Sequence, residues 1–158
     1  MTTKQIQEIL ILHGKTLATA ESCTSGRIAA EITKISGASG YFQGGLVAYQ
    51  DRLKEEFLGI KAEDIEQYDV VSQPVVEQMV RGACRMFGTD YAIASTGYAG
   101  EGNGHIPSGT IWIGWGSPTD VHSKCLTLSN DRETNTQKAV AEALTSFLSY
   151  VTSHPELG

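Results

Sequence analysis

Residues 16–26 read Thr16-Leu17-Ala18-Thr19-Ala20-Glu21-Ser22-Cys23-Thr24-Ser25-Gly26. The first six residues predict a short strand, and the next five a turn of small polar residues. Beyond them Ile28, Ala29, Ile32 and Ile35 recur at helical spacing, with Gly37 as a stop signal. A strand, a polar turn and a helix in that order open an α/β layered arrangement. To the N-terminal side, Ile6, Ile9, Leu10 and His13 predict an amphipathic helix over 4–13. To the C-terminal side, residues 44–50 predict a second strand and 51–58 a short helix ending at Gly59. Ser72 stands as the N-cap of a longer helix, whose apolar face is Val76, Met79, Val80, Ala83 and Phe87. Residues 91–95 predict a buried strand, and 97–109 a glycine-rich loop. Residues 110–115 and 121–128 predict paired strands around a turn at 116–120. Val140, Ala143, Leu144, Phe147, Leu148 and Val151 mark a last helix. This order predicts a single domain over 1–158, a three-layer α/β/α sandwich with a mixed sheet.

The 158 residues carry 12 Lys plus Arg against 18 Asp plus Glu, a formal charge of −6. Nucleic-acid binders concentrate basic residues on one surface, and no such run occurs, so no nucleic-acid partner is expected. Apolar residues make up 41% and charged residues 19%, which suits a folded core rather than a disordered chain. No apolar stretch approaches the roughly 20 residues of a membrane span. Cys23, Cys84 and Cys125 are odd in number and widely spaced, which disfavours a disulfide framework and a thiolate zinc site. Neither an H-x-x-H nor an H-E-x-x-H pattern links the four histidines, so no metal or cofactor is expected. The expectation is a soluble cytoplasmic protein without an export signal.

Three clusters carry candidate chemistry. Ser22 lies where a strand gives way to a helix, a place where backbone N–H groups favour anions. Thr24, Ser25 and Gly26 leave room for a ligand near the backbone, though the same hydroxyls can simply cap the helix. Tyr49 and Lys54 flank the start of the next helix. Either can activate a serine hydroxyl if its pKa is lowered, or Tyr49 is half-buried and Lys54 solvated among its charged neighbours. The loop from Thr96 and Gly97 through Gly100 to Gly109 offers backbone amides for a phosphate or an oxyanion. It is neither a P-loop nor a dinucleotide fingerprint, and a long hairpin connection is the plain alternative.

These segments together resemble one family. Ala18–Gly26 is similar to the A-T-A-E-S-C-T-G-G segment of the CinA C-terminal domain. Ser39–Tyr49 with Lys54 and Leu58-Gly59-Ile60 resembles its second block. Val71-Ser72, Asp90–Gly100, Gly109–Ile113 and Asp131-Arg132-Glu133 follow in the family's order, so the resemblance covers about residues 4–150. The family includes stand-alone nicotinamide mononucleotide deamidases and the C-terminal halves of competence/damage-inducible proteins. The resemblance implies a metal-independent amidohydrolase of pyridine-nucleotide salvage, often a dimer, that converts nicotinamide mononucleotide to nicotinate mononucleotide and ammonia.

Carried over by motif, Ser22 is the nucleophile, with Tyr49 and Lys54 as its activating groups. Thr24, Gly26, Gly44, Gly45, Thr96, Gly97, Gly100, Gly109 and Arg132 are implied to bind substrate. The chain departs from the pattern at Ser25, a family glycine, and at Glu101, a family proline. Its glycine loop is shorter and lacks a lysine, and Thr136 replaces an arginine. These losses predict a weaker hold on phosphate, with Arg132, His105 or a partner's lysine as compensating groups. The alternative reading is an inactive or altered-specificity relative that binds a nucleotide or a protein.

Overall fold

A computed structural model describes residues 1–154. Five strands form one sheet in the order β2-β1-β3-β4-β5. They are β1 Leu17–Glu21, β2 Phe42–Val47, β3 Tyr91–Tyr98, β4 Thr110–Ser117 and β5 Asp120–Thr127. β1 pairs in parallel with both β2 and β3, while β3–β4 and β4–β5 are antiparallel. The mixed sheet is the expected one. Among the described residues six α-helices accompany it: α1 Thr2–His13, α2 Arg27–Thr33, α3 Asp51–Leu58, α4 Ala62–Tyr68, α5 Gln73–Phe87 and α6 Arg132–Thr152.

The period of two along each strand divides the core into two halves. Leu17, Tyr91, Ile93, Ile111 and Ile113 face one side, where Ile6 and Leu10 of α1, Ile28 and Ile32 of α2, and Phe147 and Val151 of α6 pack. Ala20, Ala92 and Ala94 face the other side, under Val75, Val76, Met79, Val80 and Ala83 of α5. The small residues let α5 lie close: a Cβ on Gly114 would stand 3.0 Å from Val80 Cγ2. Helices therefore cover both faces, giving the α/β/α sandwich. β1 is buried along its whole length, as a central parallel strand must be.

Several boundaries differ from the sequence expectation. α2 ends at Thr33, short of Ile35, because the chain turns to place the Ser36 carbonyl under the Gln7 side chain at 2.9 Å. β2 covers 42–47 rather than 44–50, since its partner β1 ends at Glu21, opposite Val47. Residues 48–50 become the loop that aims α3. β3 runs on to Tyr98 because β4 keeps pairing with it as far as Thr110. Ser72 holds the N-cap position of α5, but its hydroxyl donates back to the Asp69 carbonyl at 2.8 Å rather than into the helix.

The chain leaves β1 through α2 toward β2, and it leaves β2 through α3, α4 and α5 to reach β3 on the other side of β1. The two connections use opposite faces, so β1 is a switch point. Ligands in such sheets bind beyond the strands' C-terminal ends, where the connections diverge.

Candidate active site

The cleft at that switch point has a volume of about 320 Å³. Ser22 and Cys23, Tyr49, Asp51 and Lys54, Val70, Thr96 through Ala99, Glu101 and Arg132 line it.

Ser22 is the first residue after β1, and its backbone N–H donates to the Ser95 carbonyl at 3.1 Å. The residue is buried, 8% exposed. Lys54 lies on α3 four residues before Leu58, and both are buried on the same helix face. Its stem occupies an apolar stripe, and its Nζ emerges beside the serine. Nζ donates to Ser22 Oγ at 3.1 Å and to the Ala48 carbonyl at 2.9 Å. Asp51, more than half exposed, stands 3.7 Å away. Burial lowers the Lys54 pKa from its ordinary value, and Asp51 opposes the shift. A buried ammonium beside one exposed carboxylate gives up its proton more readily than a solvated one.

Below this pair lies a network of hydroxyls anchored by Glu21. The Glu21 carboxylate accepts the N–H groups of Ile28 at 2.9 Å and Ala29 at 3.0 Å, and the Thr24 hydroxyl at 2.5 Å. Thr24 has one proton and gives it to Glu21, so Ser95 is the donor in the 2.6 Å Ser95–Thr24 bond. Cys23, also beside Ser95, is pushed up to about 12 by burial. It remains a thiol at neutral pH, and the thiolate is the nucleophilic form. Ser22 is therefore the better-placed nucleophile of the two neighbours.

The β3 backbone supplies the opposite wall. The Ser95 carbonyl points toward β1, whereas the Tyr98 carbonyl points toward β4, where it accepts from Gly109. Alternation along a strand then turns the Gly97 N–H and C=O to the β1 side. β1 has ended by that point, its last pair being Glu21 with Ser95. The Gly97 N–H thus faces the cleft instead of a strand. A Cβ there would stand 2.8 Å from Ile111 Cα, so only glycine fits.

The candidate residues separate into three groups. Ser22, Tyr49, Lys54, Thr96, Gly97 and Arg132 share the cleft. Tyr49 is 57% exposed and stands on the rim, and among the described residues it is Lys54, not Tyr49, that bonds to Ser22. The Thr96 hydroxyl is committed to the Val70 carbonyl at 2.9 Å. The remaining candidates lie outside the lining. Thr24 is fully buried in the Glu21 network. Gly26 precedes α2 in a left-handed conformation, φ 94°. Gly44 faces the Phe87 ring, and a Cβ on Gly45 would collide with Thr19 Oγ1. A Cβ on Gly109 would collide with the Leu128 carbonyl. Gly100 acts at one remove: a Cβ there would lie 2.5 Å from Arg132 Nη2, so its bareness makes room for the guanidinium.

Only the first part of the glycine loop reaches the cleft. Gly102 and the residues from Gly104 to Ser108, His105 included, line a separate hollow. The loop is held by Asn103, which donates to Asp69 at 2.7 Å and accepts the N–H groups of His105 and Ile106. The Tyr98 hydroxyl donates to the same Asp69 at 3.0 Å. Thr136 is buried and bonds within its own helix, to the Arg132 carbonyl at 2.8 Å. Asn135, also buried, ties the start of α6 to the Ala99 carbonyl at 2.9 Å. Ser25 holds φ 51°, a left-handed value unusual for serine, and this accounts for glycine in the family pattern.

Sequence reasoning passed over Glu21, Ser95 and Asn135. Glu21 had a visible signal: a carboxylate closing an apolar strand a few residues before a helix start, within reach of its free N–H groups. Ser95 and Asn135 depend on contacts from distant segments and had none.

Comparison with known proteins agrees with this architecture. The chain is 35% identical over 147 residues to the Escherichia coli K12 protein named nicotinamide-nucleotide amidohydrolase PncC, covering 90% of this chain and 88% of that one. A CinA-like protein of Cytophaga hutchinsonii is 39% identical over 132 residues, and one of Akkermansia muciniphila is 49% identical over 100. The matches cover 82% and 62% of this chain but only 32% and 24% of those relatives, so the chain spans about a third or less of their length. The crystal structure of competence damage-inducible protein A from Klebsiella pneumoniae superposes with a TM-score of 0.92 at 32% identity, covering 96% of both chains. The CinA C-terminal domain profile matches residues 1–151. With the profile, the relatives and the fold in agreement, the chain belongs to the CinA C-terminal domain family.

Proposed function

We propose that the cleft hydrolyses the carboxamide of nicotinamide mononucleotide, releasing ammonia and leaving nicotinate mononucleotide. The observation that carries this reading is the buried Lys54 Nζ, 3.1 Å from Ser22 Oγ and anchored on the Ala48 carbonyl. The similarity to the E. coli amidohydrolase over nearly the whole chain supplies the substrate class.

A neutral Lys54 donates one N–H to Ala48 and turns its lone pair to the serine. Oγ attacks the amide carbon as its proton passes to Nζ. The carbonyl oxygen takes the electron pair and the negative charge, and the Gly97 N–H faces the space where that charge develops. The C–N bond then breaks. Nζ returns its proton to the departing nitrogen, which leaves as ammonia. Water, giving its proton to the same amine, attacks the ester carbon; the C–Oγ bond breaks as Nζ hands that proton to Ser22 Oγ, and the acid formed leaves as the carboxylate product. Arg132 at the mouth offers a cation to the substrate's phosphate. Tyr49, on the rim, is the second activating group by motif.

The same reading makes residues 1–158 one catalytic domain, working as a homodimer in the cytoplasm. Cys23, Cys84 and Cys125 are all free, which fits a reducing compartment. The test is ammonia release from nicotinamide mononucleotide by the purified chain, with and without chelator. Activity should survive chelation, vanish in Ser22→Ala by roughly 10⁴-fold or more, and persist in Cys23→Ala. Activity lost in Cys23→Ala but kept in Ser22→Ala reverses the assignment.

A further inference from the structure

At the end of the sheet away from the cleft, β5 starts with Asp120 and His122 on one face, two residues apart. The C-terminal end of α6 brings Tyr150 and His154 against them. His122 Nε2 lies 2.9 Å from Asp120 Oδ1, and His154 Nε2 lies 3.3 Å from Asp120 Oδ2. The three donor atoms all lie within 4.8 Å of one another. We propose that Asp120, His122 and His154 form a binding site for a divalent transition-metal ion of the zinc type, joining the end of α6 to β5.

The hydrogen-bond pattern supports a cation there. His154 Nδ1 faces the Tyr150 carbonyl, an acceptor only, so Nδ1 carries the hydrogen. Its Nε2 faces Asp120 Oδ2, to which the Tyr150 hydroxyl also donates at 3.3 Å. An imidazole whose other nitrogen donates to a backbone carbonyl is also the usual support for a metal ligand. The Trp115 ring stacks on His122 at 6.3 Å and 16°, which holds the second imidazole in place.

The dimensions fit as well. Tetrahedral bonds of roughly 2.0–2.2 Å place donors about 3.4 Å apart, and the three donor atoms, within 4.8 Å of one another, need only a small inward shift to reach that spacing. Two imidazoles and a carboxylate favour zinc, cobalt, nickel or copper over magnesium or calcium. His122 and Asp120 are each 46% exposed, which leaves an open entry path and a position for water.

The experiment is calorimetric titration of Zn²⁺ into the untagged, chelator-treated full chain, with thermal unfolding recorded in parallel. One ion per chain should bind at micromolar concentration or below and raise Tm, as any ligand of the native state does. His122→Ala and His154→Ala should each weaken binding at least tenfold and remove the rise, while keeping the wild-type Tm without metal. His105→Ala and Cys125→Ser should bind like the wild type, and Mg²⁺ should leave Tm unchanged. Should a variant unfold, the visible spectrum of bound Co²⁺ in the intact wild type reports the ligand set directly: nitrogen and oxygen donors support the site, a sulfur charge-transfer band overturns it. Lack of saturable Zn²⁺ binding, or equal binding by the double variant His122→Ala/His154→Ala, also overturns it.

Discussion

At the floor of the cleft Glu21, Thr24, Lys54 and Ser95 are at most 1% exposed, and Glu21, Thr24 and Ser95 bond to one another. At its rim Tyr49, Asp51, Glu101 and Arg132 are exposed to solvent. The two regions work by different physics. On the floor, burial fixes each rotamer and shifts the charge state of Lys54, so geometry and basicity are set before substrate arrives. On the rim, charges are screened by water, and two acids stand against one exposed cation. The floor suits bond making, whereas the rim suits recognition that a single substitution can retune.

The largest expected effect tests the floor. Lys54→Met should lower turnover by about 10³-fold or more, because a general base contributes roughly 10²–10⁴. Below its folded pKa Lys54 is charged in both folded and unfolded chains, and the fold bears the full desolvation penalty. As pH rises through the folded pKa toward the ordinary 10.5, the folded chain sheds its proton first and stability increases. Activity should climb over the same range in the wild type, and Lys54→Met should remove both trends. A wild-type rate that falls as pH rises breaks the assignment of Lys54 as base.

Next comes Glu21→Gln, which exchanges a carboxylate accepting three hydrogen bonds for an amide. A loss of about 1–3 kcal/mol of stability is expected by chemical denaturation, since hydrogen bonds to charged groups are worth about that much. A comparable loss from Glu101→Gln would erase the distinction between floor and rim.

Rim substitutions should act on the Michaelis constant. Arg132→Ala should raise KM for nicotinamide mononucleotide by about ten- to a hundredfold with little change in kcat, because charge-assisted bonds to phosphate are worth about 1.5–3 kcal/mol. Glu101→Lys should lower KM, and neither change should matter for the dephosphorylated riboside. An unmodified enzyme that prefers the mononucleotide strongly even without Arg132 would locate the phosphate grip elsewhere.

The smallest effect is expected at Tyr49. Its ring is exposed and it has no hydrogen bond to Ser22 among the described residues, so Tyr49→Phe should change kcat only a few-fold. A loss near that of Lys54→Met would show that the phenol moves into the proton path once substrate is bound.

The sequence by itself determined the order of elements apart from α4, which carries no buried residue to mark it, and placed Ser22 and Lys54 among the candidates. Apolar periodicity marked α1, α5 and α6, while Gly59 marked the end of α3. The strand–turn–helix segment at 16–26 located Ser22 at a strand's C-terminal end. Such features are local, set by side chains a few residues apart. Only the tertiary structure decided that Lys54 is buried rather than solvated, because that depends on β1 and the loop at 48–50 closing over it. Tertiary pairing likewise turned the Gly97 N–H into the cleft, withdrew Thr24 into the Glu21 network, and kept His105 away from Ser22. It also brought His154 to Asp120 and His122, a grouping no spacing rule reveals, because its members lie on a strand and beyond a helix far apart in the chain. Charge state and proximity depend on what the whole fold removes from water, and a linear pattern does not carry that information.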